Sequence, residues 1–294
     1  MNCTLIVLNY MDKERALSLA QKCKNFDCIN HIIIVDNCSP DESYNWLTNH
    51  LNCDDTIIVL KSKKNGGFSY GNNYGAKFAI HKYNPEYILF ANTDTIFDEQ
   101  SLQMCLYALK DNQNLGLISL RMKNIDGYEE ISCWKEKNYL QSTLYCLWLY
   151  RRKKYDFFHY EFNDSSINMK YVDVVRGSFM CFKSQALIDI NYFDENTFLY
   201  YEEDIISKRL KNHHYKIAIL TNYYYIHDHK YEKNFNEVKM KHNLDNSMYY
   251  LLKTYYHINI LQKIFTKLVI YYSIIEFSIL DFFKKRRKNN VIKI

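Results

Sequence analysis

Residues 87–94 read YILFANTD, an apolar run of strand length that ends in amide, hydroxyl and carboxylate side chains. A short continuous apolar run of this kind is typical of a strand with both faces buried. In an open parallel sheet, ligands bind beyond the carboxyl ends of the strands. The run therefore predicts a buried strand whose polar end, Asn92, Thr93 and Asp94, opens into a ligand site.

The chain before this strand repeats the same pattern. Further strands are predicted within residues 3–9, 31–43 and 55–65. Helical character follows at residues 12–24, and residues 66–80 begin as a loop and continue as a helix. The order β-α-β-α-β-α-β predicts an α/β fold with a mainly parallel, Rossmann-like sheet and helices on both faces. Asp36, Asp94 and the loop 65–73 fall at its carboxyl edge.

The second half of the chain is less regular. A strand is predicted at residues 115–122, whereas the aromatic and basic stretch 134–170 has no clear pattern. Residues 171–187 predict a strand, a glycine turn, a strand and a helix, and residues 193–220 predict a loop, a helix and a strand. We expect one α/β domain at 1–230, with halves at 1–120 and 121–230, and a helical extension at 231–294.

Cysteine and charge content argue against several classes of protein. Nine cysteines, an odd number without a CxxC pair, indicate reduced thiols in the cytosol, and no secretory leader is expected. Residues 1–120 carry a net charge of −3, residues 121–229 are neutral and residues 230–294 carry +8. A basic tail behind a body without excess positive charge argues against nucleic-acid binding and favours contact with a membrane surface.

Asp94 is the first candidate for a metal ligand. Mg²⁺ and Mn²⁺ prefer oxygen ligands, and Mg²⁺ is usually bound by one or two carboxylates together with substrate phosphates. A carboxylate at a strand end therefore suits a metal–diphosphate site. The alternative is a polar turn that caps the next helix.

Asp36 and a glycine cluster are candidates for nucleotide contacts. The Asp36 carboxylate could accept hydrogen bonds from a base or a ribose, although the residues around it also favour an Asx turn. Residues 65–75 hold four of the seven glycines, and glycine lets the backbone approach a ligand closely. Their spacing matches neither GxGxxG nor the Walker pattern, and a flexible loop is the alternative.

Glu202, Glu203 and Asp204 are three adjacent acids at a predicted helix start. Their mutual repulsion raises at least one pKa if they are partly buried, which suits a general base. Acids also suit the helix dipole, so a solvated helix start is the alternative. His227 and His229 follow a strand and could supply an imidazole to a metal, although a lone histidine is usually structural.

In order and spacing, these segments resemble the family 2 inverting glycosyltransferases of the GT-A fold. The resemblance is nearest to the bacterial branch that includes rhamnosyltransferases and other enzymes of cell-surface polysaccharides. It covers roughly residues 3–230, and it implies a catalytic domain at 1–230 with a nucleotide-binding half (1–120) and an acceptor half (121–230). The matching segments are LIVLNY, IIIVDNCSPDES, NGGFSYGNNYGAKFA, YILFANTDTIF, VRGSFMCFKSQAL, FDENTFLYYEEDIISKRL and the histidine at 227.

The resemblance implies a transferase that uses a UDP- or dTDP-sugar and a divalent cation, Mn²⁺ or Mg²⁺. It implies that Asp94 binds the metal, that His227 or His229 approaches the metal or the diphosphate, and that Asp36 contacts the nucleotide base. The implied substrate-binding residues are Asn9, Tyr10, Asp36, Asn65, Gly67, Asn72, Asn92 and Gly177.

The resemblance places Glu203 at the position of the base that deprotonates the acceptor hydroxyl, with Asp204 as the alternative and Glu202 beside them. Two departures from the family pattern matter. The family usually has two aspartates or Asn-Pro-Asp where this chain has Asn92-Thr93-Asp94, so one carboxylate would act alone. Many relatives also carry aspartate where Glu203 falls, so the acceptor would sit differently.

Residues 264–283 are mostly apolar but contain Lys267, Glu276 and Asp281. The segment is long enough to cross a bilayer, yet its charges favour an amphipathic helix on the membrane surface, where KKRRK (284–288) would attract anionic lipid. Packing on the domain or on a partner subunit is the alternative, which leaves a homo-oligomer open.

These features together predict a cytoplasmic enzyme at the inner face of the cell membrane. Its acceptor would be a glycan or a lipid-linked glycan. Two rival functions are a non-catalytic protein that binds nucleotide sugars as a scaffold, and a sugar nucleotidyltransferase. The second is disfavoured because NYMDKE (9–14), after the first strand, lacks the expected glycine-rich loop.

Overall fold

The computed structural model describes residues 1–51, 54–154, 156–162, 168–228 and 237–291. The chain forms two compact units. The first consists of Met1–Lys135 and Tyr160–Asn234, and the second of Glu136–His159 and Phe235–Ile294. The second unit therefore combines the C-terminal helices with part of the stretch 134–170, whose residues follow no clear pattern in the sequence.

The first unit has the predicted α/β order. Its strands are β1 (Cys3–Asn9), β2 (Ile29–Asp36), β3 (Ile57–Lys61), β4 (Tyr87–Asn92), β5 (Thr95–Ile96), β6 (Leu115–Asn124), β7 (Glu129–Glu130), β8 (Cys133–Trp134), β9 (Met169–Val172), β10 (Val174–Val175), β11 (Phe179–Lys183) and β12 (Lys216–His227). Its helices are α1 (Lys13–Cys23), α2 (Ser43–His50), α3 (Gly67–Tyr83), α4 (Glu99–Asp111), α7 (Ser184–Asp189) and α8 (Glu202–Asn212).

The second unit is helical. It contains α5 (Tyr139–Leu144), α6 (Trp148–Lys154), a short 3-10 helix (Asp156–Phe158), α9 (Glu237–Tyr255) and α10 (Ile260–Val291). A capping box starts α5, because the Asn138 side chain accepts from Gln141 N while the Gln141 side chain accepts from Asn138 N. On α9, the buried Lys241 ammonium contacts Asp245 and donates to Ser273 Oγ of α10 at 3.0 Å. These contacts join the two long helices of the unit.

The central sheet has the strand order β3-β2-β1-β4-β11-β6-β12-β5, with β7 on β6 and β9 on β12. The strands β3, β2, β1 and β4 are parallel to one another, and β6 is parallel to β12. Strand β11 runs antiparallel between β4 and β6. The register pairs Asn9 with Asp36 and Leu8 with Asn92, so the carboxyl ends of β1, β2 and β4 meet at one edge.

Both faces of the sheet are buried, which explains why its strands read as continuous apolar runs. Along β4, Leu89 faces a core packed with α1 and α4, whereas Ile88 and Phe90 face a second core packed with α3 and α7. Side chains on successive strand residues point to opposite faces. The mainly parallel sheet with helices on both faces confirms the predicted fold class.

The glycine cluster lies mostly inside a helix. Helix α3 begins at Gly67, so Gly71 and Gly75 are helical rather than part of a loop. A Cβ at Gly71 would lie 2.3 Å from Leu8 Cδ1, and one at Gly75 would lie 2.8 Å from Ile6 Cγ2 and from Val35 Cγ2. These glycines let α3 pack closely on β1 and β2. Close helix–sheet packing therefore accounts for them, rather than either a ligand-binding or a flexible loop.

Gly67 is where a side chain should cost most. Its φ is +86°, and a Cβ there would lie 1.9 Å from the Phe198 carbonyl oxygen. Gly127 has a nearly identical φ of +87° but nothing within 4 Å of a Cβ. We expect Gly127→Ala to cost only backbone strain, about 1–2 kcal/mol. Gly67→Ala adds the collision, about 1–3 kcal/mol more. Urea unfolding of both variants measures the difference, and equal losses would show that the Phe198 segment yields freely.

Candidate active site

Asp94 follows β4 and meets the last residue of β12. The Asp94 Oδ1 atom lies 3.2 Å from His227 Nε2, and the Asp94 carbonyl accepts a hydrogen bond from Asp228 N at 2.9 Å. Burial alone would raise the pKa of Asp94. The nearby His227 imidazole and the positive charge of Arg15 outweigh burial, so the pKa of Asp94 lies below its ordinary value. The carboxyl is therefore ionised at neutral pH.

An arginine and an aspartate that no sequence motif marks belong to the same site. Arg15 Nε donates to Asp12 Oδ1 at 2.9 Å, and Arg15 Nη1 donates to the Asp228 carbonyl at 3.1 Å. The Thr93 hydroxyl donates to Asp12 Oδ2. Helix α1 thus supplies a positive charge beside Asp94. Arg15 and Asp12 lie in NYMDKER (9–15), directly after the first strand. Their place at the carboxyl edge of the sheet was the one signal in the sequence that they could belong to the site.

The Asp94–His227 pair fits a divalent cation that shares its coordination with a substrate. Within the described ranges, no three His, Cys, Asp or Glu side chains come together as a site built from protein ligands alone requires. An ionised carboxylate at a strand end still suits Mg²⁺ or Mn²⁺, since a substrate diphosphate can complete the shell. His227 lies beside Asp94, and its approach to a metal or diphosphate stays a prediction. His229 lies outside the described residues.

Asp36 and Asn9 tie two strand ends together. Asn9 Nδ2 donates to Asp36 Oδ1 at 2.9 Å, Ser39 N donates to Asp36 Oδ2 at 3.1 Å, and Asp12 N donates to Asn9 Oδ1 at 3.1 Å. Both Asp36 and Asn9 are fully buried, whereas Tyr10 is exposed. The structure thus shows Asp36 organising the loops after β1 and β2. Its contact with a nucleotide base remains a prediction.

The predicted nucleotide pocket is built around Asn37. Asn37 Nδ2 donates to Asn65 Oδ1 and to the Gly67 carbonyl, both at 3.1 Å, and Gly67 N donates to Asn65 Oδ1 at 3.2 Å. Asn72 is buried and donates to the Phe68 carbonyl at 3.1 Å. Asn65 and Gly67 are therefore brought to the carboxyl edge together, while Asn72 caps a turn inside α3.

Glu203 is held at the start of α8 by a backbone donor. Gly177 N donates to Glu203 Oε1 at 3.1 Å, and a Cβ on Gly177 would lie 3.0 Å from that oxygen. Burial raises the pKa of Glu203 and the nearby Asp204 charge adds to this, while Gly177 N and Arg176 act in the opposite direction. A carboxyl with a raised pKa and a fixed orientation suits a general base.

The two neighbouring acids differ from Glu203. Asp204 Oδ1 accepts from Trp134 Nε1 at 3.4 Å, a long hydrogen bond from an indole that no sequence motif marks. Glu202 is buried, and within the described residues its Oε2 has no hydrogen-bond partner. Burial and the Glu203 charge raise the pKa of Glu202 well above its ordinary value. The orientation of Glu203, in turn, is set by Gly177 N.

Ser178 connects the end of β4, which precedes Asp94, to the acidic helix α8. Its carbonyl accepts from Asn92 N at 3.1 Å and from Thr95 Oγ1 at 3.0 Å. Gly177, the preceding residue, holds Glu203. Ser178 Oγ also hydrogen-bonds the hydroxyl of the buried Tyr225 at 2.7 Å. Burial raises the pKa of Tyr225, and the charges of Glu203 and Asp94 contribute. The structure thus brings Asp94, Asn92, Gly177 and Glu203 into one site.

Glu202 should make stability depend on pH. Its raised folded-state pKa means that the fold keeps a proton that the unfolded chain releases, so stability is complete below the ordinary glutamate pKa and is lost as pH rises through the raised value. The glutamine of Glu202→Gln cannot ionise. Between pH 4.5 and 8, the free energy of unfolding of the wild type should therefore fall by about 1 kcal/mol or more beyond the fall in Glu202→Gln. Urea unfolding across this range measures the difference. The exposed Glu130→Gln is the control, and equal slopes for wild type and Glu202→Gln would contradict this expectation.

The family model for glycosyl transferase family 2 matches residues 6–173, more than half of the chain. The chain belongs to glycosyl transferase family 2. This confirms the family predicted from the sequence. A sequence relative of this family 2 chain is the low-salt glycan biosynthesis hexosyltransferase Agl10 of Haloferax volcanii. It is 26% identical over 200 residues, which are 68% of this chain. The chain spans 58% of the length of that relative.

Solved structures share the fold of this family 2 chain. The mannosyltransferase PcManGT from Pyrobaculum calidifontis, in complex with GDP-Man and Mn²⁺, superposes with a TM-score of 0.59 at 10% identity and covers 92% of this chain and 71% of its own. S. aureus TarS 1-349 in complex with UDP-GlcNAc superposes with a TM-score of 0.54 at 14% identity, and the match covers 92% of this chain and 70% of TarS 1-349. GalNAc-T7 with UDP, GalNAc and Mn²⁺ superposes with a TM-score of 0.61 at 9% identity, and the match covers 86% of this chain and 48% of GalNAc-T7. At these identities the likeness supports the GT-A fold alone.

Proposed function

We propose that this chain moves a sugar from a nucleotide-diphosphate sugar to an acceptor hydroxyl, with inversion at the anomeric carbon and with help from Mn²⁺ or Mg²⁺. One observation carries the proposal: the residues at 177 and 178 hold Glu203 on one side and the end of β4, next to Asp94, on the other. A base and an ionised carboxylate that could bind a metal, both next to the segment 177–178, suit a single displacement at a carbon between them.

Glu203 is the residue that takes the acceptor proton in this proposal. Its carboxylate is aimed by Gly177 N, and its raised pKa makes it a stronger base than an exposed glutamate. As the acceptor oxygen attacks, the bond from the anomeric carbon to the diphosphate breaks and the diphosphate leaves with its electron pair. Asp204, whose Oδ1 accepts from Trp134 Nε1, remains the alternative base.

Asp94 is the residue that would hold the divalent cation, with His227 beside it. When bound, the cation supplies Lewis-acid neutralisation of the charge on the leaving diphosphate. Arg15 adds a fixed positive charge near the same carboxylate. The structures of PcManGT and GalNAc-T7 contain Mn²⁺, which supports the proposal of a divalent cation for this chain.

The donor, the acceptor and the location complete the proposal. The donor is a UDP- or dTDP-sugar, and the rhamnosyltransferase-like specificity expected from the sequence stays a prediction. The acceptor is a glycan or lipid-linked glycan in cell-surface polysaccharide synthesis, at the cytoplasmic face of the cell membrane. The relative from Haloferax volcanii is named for glycan biosynthesis, and the basic second unit suits a membrane-bound acceptor.

A donor screen tests this function. The full chain is offered UDP-, dTDP- and GDP-sugars with Mn²⁺, with Mg²⁺ or with EDTA, and binding and release of nucleoside diphosphate are both measured. Metal-dependent release from one donor, with an inverted product by NMR, is the expected result. Tight donor binding without release with any acceptor would favour the non-catalytic scaffold. No binding at millimolar donor with any metal would overturn the proposal.

A further inference from the structure

Helix α10 carries an apolar face that points away from the unit that holds it. The α10 face consists of Leu261, Ile264, Leu268, Tyr272, Ile275 and Ile279, whose exposed fractions range from 42% to 74%. They are spaced by three or four residues, so they fall within an arc of about 80° on the helix. The face is about 27 Å long at 1.5 Å per residue. An apolar surface this extended marks an interaction site.

The opposite side of α10 is fixed within the second unit. Thr266 and Ser273 are buried, the Thr266 hydroxyl lies 3.4 Å from that of Thr143 on α5, and Ser273 accepts from Lys241 on α9. Glu276 Oε2 accepts from Trp148 N of α6 at 2.7 Å. The helix is therefore anchored by its polar inner side. Within the described residues, no helix is both long and apolar enough to cross a membrane.

The charge of the second unit identifies what would cover this face. The unit has 16 Lys and Arg against 6 Asp and Glu, a net charge of +10, whereas the first unit has 22 against 27, a net charge of −5. In α10 itself the sequence has seven basic residues and two acids, and one of these acids, Glu276, is engaged with Trp148 N. If two copies of the chain associated through this face, two second units with a net charge of +10 each would come together. Electrostatic repulsion therefore opposes self-association through this face.

We infer that the α10 face docks on the surface of a bilayer rich in anionic phospholipid. The helix would lie in the plane of the interface with its apolar face among the upper acyl chains, as amphipathic interfacial helices do. Tyr271, which is exposed beside this face, suits the headgroup level. The basic residues of the unit then add attraction to anionic lipid that salt weakens. This inference concerns binding and holds whether or not the chain transfers a sugar.

Vesicle flotation tests the inference with the full chain. Vesicles of phosphatidylcholine alone are compared with vesicles that contain about 30% phosphatidylglycerol, at low and high salt. The wild type should float with the anionic vesicles and much less with the neutral ones. The double variant Leu268→Ser/Tyr272→Ser should lower the partition coefficient by at least about tenfold. Both side chains are exposed (63% and 61%), so the variant should fold, which circular dichroism checks.

A matched variant controls for loss of surface hydrophobicity. Ile125→Ser/Tyr128→Ser removes one aliphatic residue and one tyrosine that are similarly exposed (57% and 72%) in the first unit, and it should float as the wild type does. Equal flotation of both double variants and the wild type would overturn the inference. The inference would also be overturned if the wild type did not float with anionic vesicles. One such case is a wild type that stays off these vesicles and forms a dimer that Leu268→Ser/Tyr272→Ser disrupts.

Discussion

Glu203→Gln should abolish transfer while leaving donor binding intact. The substitution keeps the shape of the side chain and an oxygen that can accept from Gly177 N, but it removes the group that takes the proton. Loss of a general base lowers a rate by about 10²–10⁴-fold. Initial rates of nucleoside diphosphate release with acceptor, together with calorimetric titration of the donor, measure the two effects separately.

Two further variants make this result specific. Glu130→Gln removes a carboxylate from an exposed residue of the first unit and should keep the full rate. Asp204→Asn tests the alternative base, and we expect a smaller loss because its contact with Trp134 is longer, at 3.4 Å, than the one by which Gly177 N orients Glu203, at 3.1 Å. If Asp204→Asn loses the larger factor, the roles of the two acids are reversed. Full activity of Glu203→Gln would remove it from the mechanism.

Asp94→Asn should remove the advantage that a divalent cation gives to donor binding. The pKa of Asp94 is held below its ordinary value by His227 and Arg15 in spite of burial, so the wild-type site presents a full negative charge at neutral pH. An amide cannot supply that charge. We expect the affinity for the donor with Mn²⁺ to fall by at least about 10–100-fold, whereas the weak affinity in EDTA should change little. Calorimetric titration of the donor with Mn²⁺ and in EDTA measures both.

Binding of Mn²⁺ measured by electron paramagnetic resonance gives a second readout for Asp94 that does not depend on turnover. Asp126→Asn, at an exposed turn between β6 and β7, is the matched control and should behave as the wild type. An Asp94→Asn protein that still binds Mn²⁺ with the donor as tightly as wild type would show that Asp94 is not the ligand.

The residues that could be predicted from the sequence are those whose local context is sufficient. The apolar run before Asp94 and the acids at Glu202–Asp204 each combine a secondary-structure signal with a chemical group, and the structure places them at a strand end and a helix start. The succession of apolar strands and short connections also predicted the parallel sheet, because such runs suit strands with both faces buried.

Other parts of the site depend on contacts between distant residues. Arg15 reaches the Asp228 carbonyl across 213 positions of the chain, and Trp134 reaches Asp204 across 70. The position of Arg15 directly after the first strand was a weak signal, whereas nothing in the local sequence marks Trp134. The glycines of α3 pack closely on side chains of β1 and β2. Only the assembled sheet defines that contact, so their sequence pattern predicts a ligand-binding or flexible loop instead.

Strand β11 has a consequence for how the chain folds. It fills the gap between β4 and β6, and its residues Phe179–Lys183 pair with Tyr87–Ala91 from far earlier in the chain. During synthesis, β4 therefore emerges with an unpaired edge that persists while some ninety further residues are made. An open edge is a template for wrong pairing, and non-local closure of this kind is slow. Protease resistance of the sheet should appear only when the nascent chain includes residue 183.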